Sequence, residues 1–284
     1  MEVVTSKEQL RSWLDKHPHA KKVLAPTMGA LHRGHTSLFD LAREKAGDDV
    51  AMASIFVNPT QFGPNEDFGS YPRQLEADLE LCEKHGIDLV FAPPAGEVYA
   101  ENASISIHEK SLSTGLCGGK RPGHFDGVCT VVAKLFHLFR ADAAVFGEKD
   151  FQQLAVIRRM VRDLDFEVEI VPGPTVREED GLAMSSRNAY LSEAEREQAP
   201  ILFQTLTDVA KGISSGRLSS PEEAVEHLRQ KIESAPLARI DYAEIVNSDT
   251  LEPLDKFGIG EPRLLVAVFF GKTRLIDNVG LPSS

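Results

Sequence analysis

Pro26-Thr-Met-Gly-Ala-Leu-His-Arg-Gly-His35, continuing as Thr36-Ser-Leu-Phe-Asp-Leu-Ala-Arg43, is the stretch whose reading decides the fold. In front of it, Val23-Leu24-Ala25 is a short apolar run of the kind a buried strand makes. Behind it, Leu38, Leu41 and Ala42 recur at helical spacing until Gly47, where a helix would stop. The order is therefore strand, glycine-bearing turn, helix. Gly29 and Gly34 allow backbone to come close to a ligand, and the helix start beyond them offers unpaired N–H groups and the positive end of a dipole. His32 and His35 fall where the turn meets the helix. The local spacing fits two readings: a capped helix start, or a phosphate site with imidazoles in it.

Outward from this stretch the same alternation repeats. Ser6-Lys-Glu-Gln9 has the form of a capping box opening a helix to about residue 16. Val50 to Val57 is a continuous apolar run, as parallel strands covered on both faces are, and it leads into Asn58-Pro-Thr-Gln-Phe-Gly-Pro64. Gln61 in that loop is either an exposed amide or a substrate contact. A helix is expected from about Gln74 to His85, with Asp78 on its solvated side. Asp88-Leu-Val-Phe91, Ala143-Ala-Val-Phe146 and Glu167-Val-Glu-Ile-Val171 are further strands, and Val128 to Phe139 is apolar nearly all round, a buried helix. Residues 97–122 are expected as loop with short strands; the glycines before Lys120 lack P-loop spacing. Asp150 and Gln153 fit a capping box at the next helix. Lys149 has no such structural role and stands at the C-terminal end of a strand, where open α/β sheets bind ligands.

The pattern is that of an α/β protein with a doubly wound parallel sheet over residues 1–174. Pro172-Gly-Pro174 breaks it. Residues 175–284 are expected as a smaller α+β unit: a polar loop with Met184-Ser-Ser-Arg-Asn188, a capped helix from Ser192 to about Lys211, a helix from Ser220, and three strands closed by a Gly271-Lys272 hairpin turn. Two hydroxyls and a guanidinium in one short loop can wrap a triphosphate.

The formal net charge of −12 argues against a broad nucleic-acid-binding face, which needs clustered Lys and Arg. Cys82, Cys117 and Cys129 have neither zinc nor disulfide spacing and are expected as buried free thiols. The first residues lack the basic and apolar regions of a signal peptide, no run is long enough for a membrane span, and Asn102-Ala-Ser104 is read as a chance sequon. A cytoplasmic protein without a membrane partner is expected.

The His-x-Gly-His turn resembles the signature of adenylate-forming class I synthetases and nucleotidylyltransferases. With Phe56-Val-Asn-Pro-Thr-Gln-Phe62, Tyr71-Pro-Arg73, Arg121-Pro-Gly-His124, Gly147-Glu-Lys-Asp-Phe-Gln-Gln153 and Met184-Ser-Ser-Arg-Asn188 in the same order, the chain resembles the pantoate–β-alanine ligases (pantothenate synthetases) from end to end. That resemblance implies a Rossmann-like first domain, a C-terminal lid domain and a homodimer joined through the first domain. It implies ATP-dependent condensation of pantoate with β-alanine through a pantoyl adenylate, with Mg2+ accompanying the ATP. By matching positions, His32, His35 (as proton donor) and Lys149 would be catalytic. ATP would lie against Met28, Gly29, Ala30, Leu31, His32, Arg33, Gly34 and His35, then Gly147, Glu148, Lys149 and Asp150. Val176, Met184, Ser185, Ser186 and Arg187 would cover it. Gln61 and Gln153 would bind pantoate, with Met28 and Met184 near its gem-dimethyl carbon, and Asp78 would support the metal ion. A nucleotidyltransferase, an aminoacyl-tRNA synthetase and a nucleotide sensor are the other classes with such a turn; the tRNA enzyme is disfavoured by charge and length.

Overall fold

The computed structural model describes residues 1–64 and 66–281. The elements run β1 (Glu2–Val4), α1 (Lys7–Leu14), β2 (Lys22–Thr27), α2 (Arg33–Ala46), β3 (Val50–Ile55), α3 (Leu75–Lys84), β4 (Leu89–Phe91), α4 (Ala95–Val98), α5 (Leu116–Lys120), α6 (His124–Phe139), β5 (Ala143–Gly147), α7 (Phe151–Asp163) and β6 (Glu169–Gly173). Then come α8 (Glu193–Gln198), α9 (Ile201–Ser214), α10 (Pro221–Glu233), β7 (Ala238–Asn247), β8 (Pro262–Phe270) and β9 (Thr273–Gly280), with 3-10 turns at Pro59–Gln61, Glu148–Asp150 and Ser186–Tyr190.

The first six strands form one parallel sheet in the order β1-β4-β3-β2-β5-β6. The continuous apolar runs follow from burial on both faces. Leu24, Met52, Leu89 and Phe146 point toward α1, α6 and α7; Val23, Ala51, Val90 and Val145 point toward α2 and α3. Phe39 on α2 is fully buried and contributes about 1.5–3 kcal/mol by area. From β2 the chain winds one way to β3 and β4, and later the other way to β5 and β6. The strand order thus reverses between β2 and β5, and a crevice opens at their C-terminal ends.

β7, β8 and β9 form an antiparallel sheet, and Gly271 with φ of 57° makes its second hairpin turn. This sheet is buried on both sides. Ala243, Ile245, Val266 and Val268 pack under α9 and α10, while Tyr242, Val246, Leu265 and Ala267 join the core beneath the first sheet.

Several local expectations give way. Residues 97–122 hold no strand; they are coil flanked by the short helices α4 and α5, and Glu109 satisfies the amides of Ser111, Leu112 and Ser113 that a ladder would have used. The helix expected to run from Ser192 to Lys211 is two helices, α8 and α9, because Pro200 has no N–H to continue the first. The capping box at Asp150 is absent: a 3-10 turn precedes α7, and Asp150 makes no side-chain cap. Asp78 is 1% exposed, not solvated. The boxes at Ser6 and Ser192 are present. The three cysteines are free and buried. Among the described residues no helix is long and apolar enough to cross a membrane.

Candidate active site

The crevice between β2 and β5 is walled by the turn after β2, the turn after β5, the 3-10 turn after β3, the start of α6 and the polar loop before α8. The cavity they enclose is about 230 Å3, opening to solvent at its mouth.

The capped-start reading of the histidine turn holds, and both imidazoles line the cavity. His32 is the N-cap of α2: its Nδ1 accepts from Gly34 N at 3.1 Å, and His35 Nδ1 accepts from His32 N at 3.3 Å. An Nδ1 that accepts an amide hydrogen carries none itself. The network therefore assigns the ring hydrogen to Nε2 in both residues, and both residues line the cavity. The two rings lie 4.1 Å apart, tilted by 45°. Gly34 is needed for this closeness, since a Cβ there would stand 2.9 Å from His32 Cε1.

Burial lowers the His32 pKa to about 4, helped by the Lys149 charge; burial lowers that of His35 to about 3, helped by His32 and Lys149. Burial and then Arg121 lower His124 to about 4. All three are neutral at pH 7. His35 is thus a neutral hydrogen-bond donor through Nε2. Unfolded, each histidine takes a proton near pH 6.5. Between about pH 6.5 and 4 the unfolded chain holds the extra protons, so stability falls as pH falls through that window and is level above it. We expect Tm to drop between about pH 7 and 4.5, and the drop to shrink in His35→Gln. An equal drop in that variant would show that His35 contributes none of it.

Lys149 reaches the cavity from the turn after β5, its Nζ 3.7 Å from Asp150 Oδ2. Its backbone is held from the second sheet: Asn278 Nδ2 donates to the carbonyls of Glu148 (3.0 Å) and Lys149 (2.9 Å). Gly147, Asp150, Val176, Met184, Ser185, Ser186 and Arg187 complete this polar end. Arg187 is paired with Asp67 at 3.0 Å, and Ser185 Oγ accepts from Arg187 N. The base of the loop is tied to β9 by Arg177, bidentate to buried Asp277 at 2.6 and 2.9 Å.

At the inner end, Gln61 is buried, with its Oε1 accepting from Asn58 Nδ2 at 3.0 Å and its Nε2 3.3 Å from Met28 Sδ. Its burial removes the exposed-amide reading. Gln153 lines the cavity and its side chain bonds no other described residue. Phe56, Val128, Val131 and Leu135 supply an apolar wall.

Some expected residues stand elsewhere. Gly29, Ala30 and Leu31 lie beneath the site and do not line it; the amides of Ala30 and Leu31 donate to Asp78 at 2.9 and 2.8 Å, so they are not free for phosphate. Arg33 is exposed and outside the lining, and Glu148 faces Arg263 at 3.6 Å. Asp78, expected to support the metal ion, is also outside the lining, and each of its oxygens accepts a backbone amide.

Asn58, Tyr71, Arg121 and His124 are among the lining residues to which sequence reasoning gave no role. His124 Nδ1 donates to Gln61 O at 2.8 Å and its Nε2 accepts from Arg121 Nη1 at 3.0 Å; Arg121 is bidentate to Glu66 at 2.6 Å. The signal was there as paired polar residues, Arg121 and His124, at the mouth of an otherwise apolar helix.

The family model of pantoate-beta-alanine ligase matches residues 2–280. A pantothenate synthetase of Akkermansia muciniphila is 49% identical over 99% of this chain and 100% of its own. A solved pantothenate synthetase from Thermus thermophilus has a TM-score of 0.93 at 46% identity, covering 98% of this chain and 99% of that one. A pantoate-beta-alanine ligase from Francisella tularensis, complexed with beta-gamma ATP and beta-alanine, has a TM-score of 0.82 at 33% identity, over 100% and 99% of the two chains.

Proposed function

The chain belongs to the pantoate–β-alanine ligase family, and we propose that the crevice between β2 and β5 is where it activates pantoate with ATP and passes the acyl group to β-alanine. The observation that carries this reading is the division of the crevice. One end has Lys149, Arg187 and two neutral imidazole donors; the other has the Gln61 and Gln153 amides against an apolar wall.

A carboxylate is a poor acyl donor, and a mixed anhydride with AMP gives it a good leaving group. In the first step the pantoate carboxylate oxygen attacks the α-phosphorus of ATP and pyrophosphate leaves. In the second the neutral β-alanine amine attacks the pantoyl carbonyl, AMP leaves, and the amine's proton is released. Negative charge crowds the first transition state, so the chain's contribution is positioning and electrostatic stabilisation. Lys149 holds phosphate oxygens, and the Nε2–H groups of His32 and His35 donate to them without bringing a proton that must leave. Arg187 exchanges Asp67 for the triphosphate as the Ser185-Ser186 loop folds over it. Gln61 and Gln153 hold pantoate's hydroxyl and carboxylate, with its gem-dimethyl carbon near Met28, Met184 and α6.

Among the described residues no group of three or more His, Cys, Asp or Glu side chains could hold a metal ion, and the Asp78 oxygens are taken by amides. The donor set does not fit a resident Mg2+; we place the ion on the phosphates of the substrate, as MgATP. Division near residue 174, a cytoplasmic location and a homodimer through the first unit belong to the same reading. Exposed Ile105 and Leu164, which border one groove on that unit, support the dimer.

The test is exchange of labelled pyrophosphate into ATP. We expect exchange with pantoate alone, since adenylate formation needs no amine. Exchange that strictly required β-alanine would overturn the two-step account, and AMP formed without any carboxylate would overturn the ligase itself.

A further inference from the structure

The buried carboxylate of Asp78 sits outside the cavity, yet hydrogen bonds join it to the turn that carries the site's histidines. Its Oδ2 accepts from Ala30 N at 2.9 Å and its Oδ1 from Leu31 N at 2.8 Å. Gln74 Nε2 approaches Oδ1 at 3.4 Å. The backbone it grips is one the chain would not choose. Gly29 and Ala30 are consecutive left-handed residues, with φ of 81° and 51°, and a side-chain-bearing residue stays there only where its surroundings hold it. Asp78 lies in the first turn of α3, where the helix dipole favours an anion. One carboxylate thus satisfies two successive amides that would otherwise be buried without partners, and fixes the one conformation of the turn that presents them together.

What the turn carries is the histidine pair. Leu31 is followed directly by His32, whose backbone N–H sets His35 Nδ1 as an acceptor, and whose ring takes Gly34 N. If residues 30 and 31 rotate, the His32 amide leaves His35 Nδ1, and the ring hydrogen of His35 is no longer confined to Nε2.

We propose that Asp78 is a positioning residue for the reaction: it clamps the left-handed turn and so sets the direction and the tautomer of His32 and His35, and it is not a ligand of the nucleotide's metal ion. The proposal rests on the ligase reading for its kinetic consequence, but its structural half does not.

The experiment uses the full chain and two variants that reach the clamp from opposite sides. Asp78→Asn keeps the shape and removes one acceptor. Gly29→Ala keeps the carboxylate but puts a Cβ 2.9 Å from Asp78 Oδ2 at a positive φ. Imidazole nitrogen shifts of 15N-labelled protein without substrates report the tautomers, and pantoate-dependent pyrophosphate exchange is measured against Mg2+ and pantoate concentration. We expect wild type to show Nε2–H at both rings, and both variants to mix tautomers. Their exchange rate at saturation should fall by roughly a hundredfold, the scale of one misplaced donor, with pantoate KM and half-saturating Mg2+ unchanged. Half-saturating Mg2+ that rises in Asp78→Asn, with rate restored by excess ion, would overturn the proposal in favour of a metal ligand. Wild-type tautomers in a folded variant would overturn it as well. Should Asp78→Asn fail to fold, Gly29→Ala decides. Wild type without exchange would sink the ligase reading while leaving the tautomer result to judge the clamp.

Discussion

Lys149→Ala should lower adenylate formation by roughly two to three orders of magnitude, the loss seen when one preorganised charge stabiliser is removed from a site. The turn that carries the ammonium is held by hydrogen bonds from the second sheet. The lysine's backbone carbonyl is tied to Asn278, and its side chain is largely covered, 20% exposed, where water screens a charge less than at the surface. Folding should survive, because the Asp150 carboxylate beside it, itself about half exposed at 49%, is its one ion-pair partner among the described residues. Single-turnover rates and a thermal melt on the same sample make the check. A near-normal rate, or a chain that no longer folds, would show that the lysine supports structure only.

Gln153→Leu and Gln61→Leu should each lower kcat/KM for pantoate by about a hundredfold or more, with ATP affinity nearly unchanged. A polar group of the substrate left without its partner in a closed pocket costs about 1–3 kcal/mol, more where it is charged. The two positions then differ in stability. Asp150 makes no cap and Gln153 bonds no other described residue, so Gln153→Leu should keep its Tm. Gln61 accepts from Asn58, which also bonds Gly127 O and Tyr99, so Gln61→Leu should melt earlier. An early melt with normal turnover at position 153 would mean that the pocket for pantoate lies elsewhere.

The sheet was legible because parallel strands buried on both faces leave unbroken apolar runs, and because a strand followed by a glycine turn and a periodic helix has few other solutions. Lys149 stood out because no local rule explained it. What escaped was whatever depends on residues far apart in the chain. Asp78 looked like a helix carboxylate facing water; its partners are the amides of residues 30 and 31, and nothing within α3 announces them. Gln153 matched a capping pattern, but the 3-10 turn in front of α7 takes the geometry that the pattern requires. β1 buries one residue of three, too little for periodicity to register. Arg121 and His124 stood in a quoted motif without a role, and their partners appear only where α6 begins against the carbonyl of Gln61.

The bonds from Asn278 to the carbonyls of Glu148 and Lys149 also say something about when this protein comes into being as a catalyst. Translation delivers the histidine turn first, the lysine next, and the residue that steadies the lysine some 130 positions later. Tyr242, Val246, Leu265 and Ala267 of β7 and β8, which join the core beneath the first sheet, are also late to emerge. A nascent chain therefore carries most of its chemical groups well before it can use them. The tie that steadies the turn bearing the lysine forms only once β9 has emerged.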